Sequence, residues 1–243
     1  MSDVTLVVGA TGGIGRALCA RLAARGHRLV VVARQEGPLR ELAGALGATA
    51  VVADATVPGA LDGAVREAVA AHGRLDHAVG LTGSILLKPA HRTTDADWRA
   101  TMSVNLDAAF HLLRAAVGTM SEAGRGSVVL MSSAAASAGL PNHEAIAAAK
   151  AGVEGLTRSA AATYAARGVR VNAVAPGLVD TPLAAAIVRS APSLEASRKL
   201  HALGRIGQPD DVAMVIELLV VNAWITGQVI TVDGGLSLQA TAR

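Results

Sequence analysis

The chain has 243 residues, 51% hydrophobic, 17% charged and 2% aromatic, with a formal net charge of +3 and a single cysteine. This is ample apolar material for one large domain, and no Pro/Ser-rich linker or charge run divides it. Its basic residues are scattered and its aromatics are only Phe110, Tyr164, Trp98 and Trp224, which argues against a nucleic-acid surface and suits a small anionic ligand.

In chain order, residues 4–8 read as a strand and 14–24 as a helix, followed by strand 29–32, helix 38–46, strand 50–53 and helix 60–72. Strand 77–81, a long helix 95–123, strand 127–131, helix 142–166, strand 169–173, helix 210–220 and strand 229–232 complete the series. The strands are short, Val-rich and often apolar on both faces, as in a parallel sheet covered by helices. Alternation without tight hairpins requires right-handed crossovers. The predicted fold is a single-domain Rossmann-type α/β protein, a doubly wound parallel sheet in three α/β/α layers over residues 1–243. Residues 177–208 are the one long irregular stretch. They lie beyond a strand's C-terminal end, where such sheets bind ligands, and form the expected substrate-binding loop.

Apolar runs stop short of a membrane span; 216–232, for example, contains Asn222, Gly227 and Gln228. Asp3 stands directly before the first strand, leaving no n-region and h-region of a signal peptide. Cys19 has no disulfide partner and reads as a buried apolar residue. The expected protein is soluble and cytoplasmic, with no metal site and no membrane partner.

Between the first strand and helix runs Gly9-Ala10-Thr11-Gly12-Gly13-Ile14-Gly15. Glycines here permit a sharp turn and close approach of a pyrophosphate to the helix N-terminus, the pattern of a dinucleotide site. At the tip of the second strand, Ala33-Arg34 offers no acid for the ribose hydroxyl of NAD, whereas Arg34 can pair with the 2′-phosphate of NADP. Glu36 keeps NAD open as the alternative. Asp54, ending the third strand, faces the adenine edge on one reading and caps a turn on the other.

These segments resemble the short-chain dehydrogenase/reductase family over nearly the whole chain. Gly9, Gly13 and Gly15 match its TGxxxGxG, with Val8 where threonine is usual. Gly80-Leu81-Thr82-Gly83 stands where NNAG is usual. Ser103-Val104-Asn105-Leu106 and Leu130-Met131-Ser132-Ser133 resemble the segments carrying the catalytic asparagine and serine. Asn172-Ala173-Val174-Ala175-Pro176-Gly177 and the stretch from Ile225 to Gly235 resemble its C-terminal signatures. The resemblance implies catalytic roles for Asn105, Ser133 and Lys150. It extends the cofactor contacts to Ala55, Gly83, Lys150, Pro176 and Gly177. It further implies a small-molecule substrate and a homotetramer or homodimer, with a mixed oligomer as an alternative.

One departure changes the expected chemistry. The family spaces its catalytic tyrosine four residues before the lysine; here Ile146 precedes Lys150. Carbonyl reduction needs a proton at oxygen, and removing a general acid slows it by about 100- to 10,000-fold. Tyr164 lies 18 residues further along the same predicted helix, out of reach. His143, seven residues before Lys150, returns to nearly the lysine's face and sits where the family's enoyl reductases place their tyrosine. The plainer reading makes Asn142 the helix cap and His143 an exposed first-turn residue. In the loop 181–203, Arg189, Arg198, Lys199 and His201 are either an anion anchor or solvated charge. Three functions follow: an NADP-dependent oxidoreductase with an altered acid; a lyase, isomerase or cyclase on the same scaffold; or a non-catalytic NADP-binding subunit.

Overall fold

In the computed structural model, residues 2–238 are described. Seven parallel strands form one sheet: β1 (Val4–Val8), β2 (Arg28–Ala33), β3 (Thr49–Val52), β4 (His77–Gly80), β5 (Gly126–Met131), β6 (Val169–Pro176) and β7 (Val229–Val232), in the order β3-β2-β1-β4-β5-β6-β7. Each interior strand feeds both cores by alternation. Leu6, Val8, Val30, Val128 and Leu130 face one layer, while Val7, Val31, Val79 and Val129 face the other.

On the first face lie α3 (Ala60–His72), α5 (Ala108–Glu122) and α6 (Glu144–Tyr164), burying Leu61, Leu112, Ala116, Val153 and Ala160. On the second lie α1 (Gly13–Ala24), α2 (Glu36–Leu46) and α9 (Pro209–Val221), burying Leu18, Leu22, Leu39, Ile216 and Leu219. Cys19 is fully buried among them, and burial pushes its thiol up to about 12. The chain runs outward from β1 to β3 and then crosses back to β4, so a crevice opens where β1 and β4 part at their C-terminal ends.

The long helix expected over 95–123 is two helices, α4 (Asp95–Met102) and α5, joined by a π-helical turn at Ser103–Asp107. Asn105 causes the departure locally: its Nδ2 donates to the Thr101 carbonyl, a backbone acceptor one turn back. Residues 177–208, expected to be irregular, contain α7 (Ala185–Val188) and α8 (Ala191–Leu200). The start of α8 is a local signal: the Ser190 hydroxyl accepts from the Ser193 amide, with Pro192 in the first turn. Helix α6 begins at Glu144 rather than at 142, because Asn142 is left-handed (φ 63°). His143, not Asn142, therefore occupies the cap position, and its side chain makes no capping bond. No helix among the described residues is long and apolar enough to cross a membrane.

Candidate active site

The crevice is floored by the glycine loop. Gly9 has φ +81°, a conformation closed to most side chains. A Cβ on Gly15 would stand 2.5 Å from the Gly9 carbonyl oxygen, so the helix can start this tightly against the loop only with glycine there. Helix α1 opens at Gly12 with no side-chain cap and no acid in its first turn, leaving the positive end of its dipole toward the crevice. A cavity of about 300 Å³ runs from Gly9, Thr11 and Gly12 past Ala33, Arg34, Asp54 and Ala55 to Gly83.

Arg34 is exposed at the rim of this cavity. Glu36, the residue that kept NAD open, pairs along α2 with Arg40 at 2.6 Å. Asp54 accepts from both the amide and the hydroxyl of Thr56, at 2.9 and 2.7 Å. The Thr56 amide first, then its hydroxyl, hold this carboxyl below the usual range, and the Arg34 charge adds to the effect. Asp54 thus makes a turn while also lining the cavity. The Ala55 carbonyl is fixed by the buried His111, with Nδ1 at 2.9 Å.

Deeper in, a cavity of about 160 Å³ brings Ile14, Gly83, Asn105, Ser133, Ile146, Lys150, Pro176 and Gly177 together. Gly83, Ser133, Pro176 and Gly177 stand at or just after the C-terminal ends of β4, β5 and β6, Ile146 and Lys150 project from α6, Ile14 comes from the start of α1 and Asn105 from the π-turn. Lys150 is buried, donates from Nζ to the Met131 carbonyl at 2.8 Å, and has its pKa drawn down to about 7 by loss of solvent. Asn105 is spoken for: Oδ1 accepts from the Ser84 amide, and Nδ2 donates to the Ser84 hydroxyl and the Thr101 carbonyl. Both its hydrogens are used, so it pins the segment after β4 to the π-turn and keeps only a spare lone pair for a ligand. The Ser133 hydroxyl accepts from the Ala135 amide at 3.2 Å, which leaves its own hydrogen available.

Ser133 and Ile146 also line a third cavity, of about 420 Å³, together with His143, Leu140, Leu200 and Leu236. Among the described residues, its wall contains no Asp, Glu, Lys or Arg. Arg189, Arg198 and Lys199 are exposed and lie outside it, so the loop's cations provide no anion anchor in this cavity. His201 is instead buried. Its Nδ1 meets the Ser197 carbonyl at 2.7 Å and its Nε2 accepts from the Leu178 amide at 3.2 Å, fastening α8 to the chain leaving β6. Sequence reading missed this lock, since a lone histidine among Ala, Leu and Lys gives no sign of burial. It also missed the support of the lysine by Ser132, whose hydroxyl reaches the Lys150 carbonyl and Glu154. Tyr164 ends α6, far along the helix from Lys150.

A wider cavity of about 630 Å³ opens at the opposite rim, among Asp76, His77, Arg125, Arg170 and Trp224. It lies at the N-terminal ends of the strands, away from the glycine loop. No group of three or more His, Cys, Asp or Glu is placed to hold a metal among the described residues.

Residues 9–237 match the family model described as Enoyl-(Acyl carrier protein) reductase. The cis-4-hydroxycyclohexanecarboxylate dehydrogenase of Sinomonas cyclohexanicum is 38% identical over 240 residues, covering 96% of this chain and 95% of that protein. A short-chain type dehydrogenase/reductase from Mycobacterium ulcerans has a similar structure, with TM-score 0.93 and 32% identity over 98% of this chain and 92% of that one. The solved structure "ElxO with NADP Bound" superposes with TM-score 0.92 at 25% identity, covering 98% of this chain and 100% of that one.

Proposed function

The chain belongs to the short-chain dehydrogenase/reductase family, whose similar members are oxidoreductases, and from that premise we propose an NADP-dependent oxidoreductase acting on a small apolar substrate. Its hydride chemistry is at a C=O, C=C or C=N group, with Ile146 in the place of the family's tyrosine. One observation carries the reading: an uncharged apolar cavity meets the nucleotide crevice at Ser133 and Ile146, directly beside Lys150.

The residues present fit a phosphorylated dinucleotide. The uncapped start of α1 suits the pyrophosphate, and Arg34 beside Ala33 suits a 2′-phosphate, while Glu36 is engaged with Arg40. A structurally similar relative has been solved with NADP bound, which supports the same preference. When bound, the nicotinamide supplies hydride. In this reading Lys150 binds the adjoining ribose, Gly83 and Pro176-Gly177 border the ring, and Ser133 orients the substrate oxygen. Ile146 excludes water from the reacting face, and His143 handles the proton. Asn105 holds the floor in place, and residues 177–208 close over the substrate.

Assembly as a homodimer or homotetramer is supported by exposed apolar side chains: Trp98 and Phe110 on α4 and α5, and Met214, Leu218 and Val221 on α9 beside Trp224. The functional test is oxidation of NADPH by the full chain with small apolar ketones, enones and imines. Turnover with at least one class is expected. Substrate conversion with no change in nicotinamide absorbance, or no NADPH oxidation across all three classes, would contradict the proposal.

A further inference from the structure

Of the chain's three lysines, Lys88 pairs with Asp97 at 2.6 Å, and Lys199 is exposed on α8 with Glu195 at 3.7 Å. Lys150 differs from both. It is buried, and the pocket of about 160 Å³ around it holds no carboxylate side chain and no second cation among the described residues. The one hydrogen-bond partner of its Nζ there is the Met131 carbonyl, at 2.8 Å. A carbonyl takes a hydrogen and never a lone pair, so a neutral amine held this way keeps its lone pair uncommitted. Gly83 leaves the space before the amine clear, since even a Cβ built there would stand 3.8 Å from Nζ. One turn back on α6, Ile146 presents hydrocarbon to the pocket rather than a group that would hold an ammonium.

The charged groups on the packed elements are engaged elsewhere. Glu154, one turn further along α6, accepts from the Ser132 hydroxyl and faces Arg158 at 3.7 Å, while Asp97 on α4 is taken by Lys88. Loss of solvent alone therefore draws the lysine down to about 7. Near neutral pH about half of it is free amine, against about one in two thousand for a solvated lysine.

We propose that Lys150 is a nucleophile: in the nucleotide-free chain its amine condenses with small uncharged aldehydes and ketones that enter from the apolar cavity, forming an imine. The apolar cavity and the lysine pocket share Ile85, Ser133, Ile146, Pro176, Gly177 and Leu178, so a carbonyl compound seated in the first borders the amine. The Nζ lone pair forms the C–N bond while the carbonyl π pair moves to oxygen, which takes one proton from Nζ. The Ser133 hydroxyl, whose hydrogen is available, polarises that oxygen. The nitrogen lone pair then closes C=N as the oxygen leaves with the second Nζ proton as water. Amine and carbonyl become imine and water, with no oxidant, reductant or nucleotide consumed. This activity goes beyond hydride transfer and competes with the dinucleotide, whose ribose takes the same amine in the reading above.

The test uses the full chain without nucleotide, cyclohexanecarbaldehyde as the probe, and cyanoborohydride to reduce the imine to a stable secondary amine. Peptide mass mapping then locates the label. At about pH 7.5, Lys150 should be alkylated at least about tenfold faster than Nα-acetyl-lysine, and this advantage should shrink toward about pH 10, where free lysine is also neutral. Glyoxylate, which carries a carboxylate, should lose the advantage, because the cavity wall offers it no cation. A Lys150 rate no greater than that of free lysine, or label confined to Lys88, Lys199 and the N-terminus, would overturn the proposal. Equal preference for the two aldehydes would overturn the assigned ligand class. With no nucleotide in the assay, failure of the chain to bind NADP would leave a positive result standing.

Discussion

Lys150 reaches from the middle of α6 to the Met131 carbonyl at the end of β5, closing the 2.8 Å bond within a wall that holds no carboxylate side chain among the described residues. Burial draws its pKa down to about 7, well below the ordinary lysine value. Between about pH 7 and the lysine range near 10.5, the unfolded chain binds a proton that the folded chain does not, so stability rises with pH across that window. Below it both states are protonated and the burial penalty is fully present. Lys150→Met should therefore raise the stability of the nucleotide-free protein, by on the order of a few kcal/mol at about pH 6.5 and progressively less toward about pH 10. Urea unfolding at the two pH values checks this; an equal effect at both would contradict it.

In the proposed reading, Arg34 is the residue on which the choice of nucleotide turns. Arg34→Ala should weaken NADPH binding by about tenfold to about a hundredfold, the worth of a charge-assisted phosphate contact, and change NADH binding little. Fluorescence titration with the two dinucleotides measures the split. Equal losses for both would remove Arg34 from the 2′-phosphate role.

Ile146 is 6% exposed and lines both the apolar cavity and the pocket around Lys150, so a larger side chain there can project into open space. Ile146→Tyr should raise reduction of simple ketones by at least about tenfold, because a phenol beside the lysine supplies the missing proton. Steady-state rates with NADPH decide it. A properly folded variant with no gain would show that the isoleucine is not what limits carbonyl chemistry.

His201 should act on the substrate side alone. His201→Phe fills the same space but strands the Leu178 amide and frees α8, which should speed proteolytic cleavage within 189–203 and raise KM several-fold. Nucleotide affinity should stay within about twofold, since the glycine loop is untouched. A variant with slow cleavage and unchanged KM would deny the histidine its fastening role.

The sheet was legible because its strands are short, Val-rich and often apolar on both faces, and the nucleotide crevice because a glycine cluster between strand and helix has few other uses. The meeting of Asn105, Ser133, Ile146 and Lys150 in one pocket was legible through family spacing. The hydrogen bonds that commit Asn105 to Ser84 and Thr101 were not. The Ser190 cap and Pro192 that start α8 are local signals, but the burial of His201 at its end depends on Leu178, 23 residues earlier. Contacts of that range leave no local period. The contact of His143 Nδ1 with the Pro141 carbonyl was likewise out of reach, because it is made in a loop whose bend comes from a left-handed Asn142.

The most direct test of the central claim is calorimetric titration of the full chain with NADP and with NAD. Saturable binding of one dinucleotide per chain, tighter for NADP, is the predicted result; no binding of either, or a clear preference for NAD, would contradict the account.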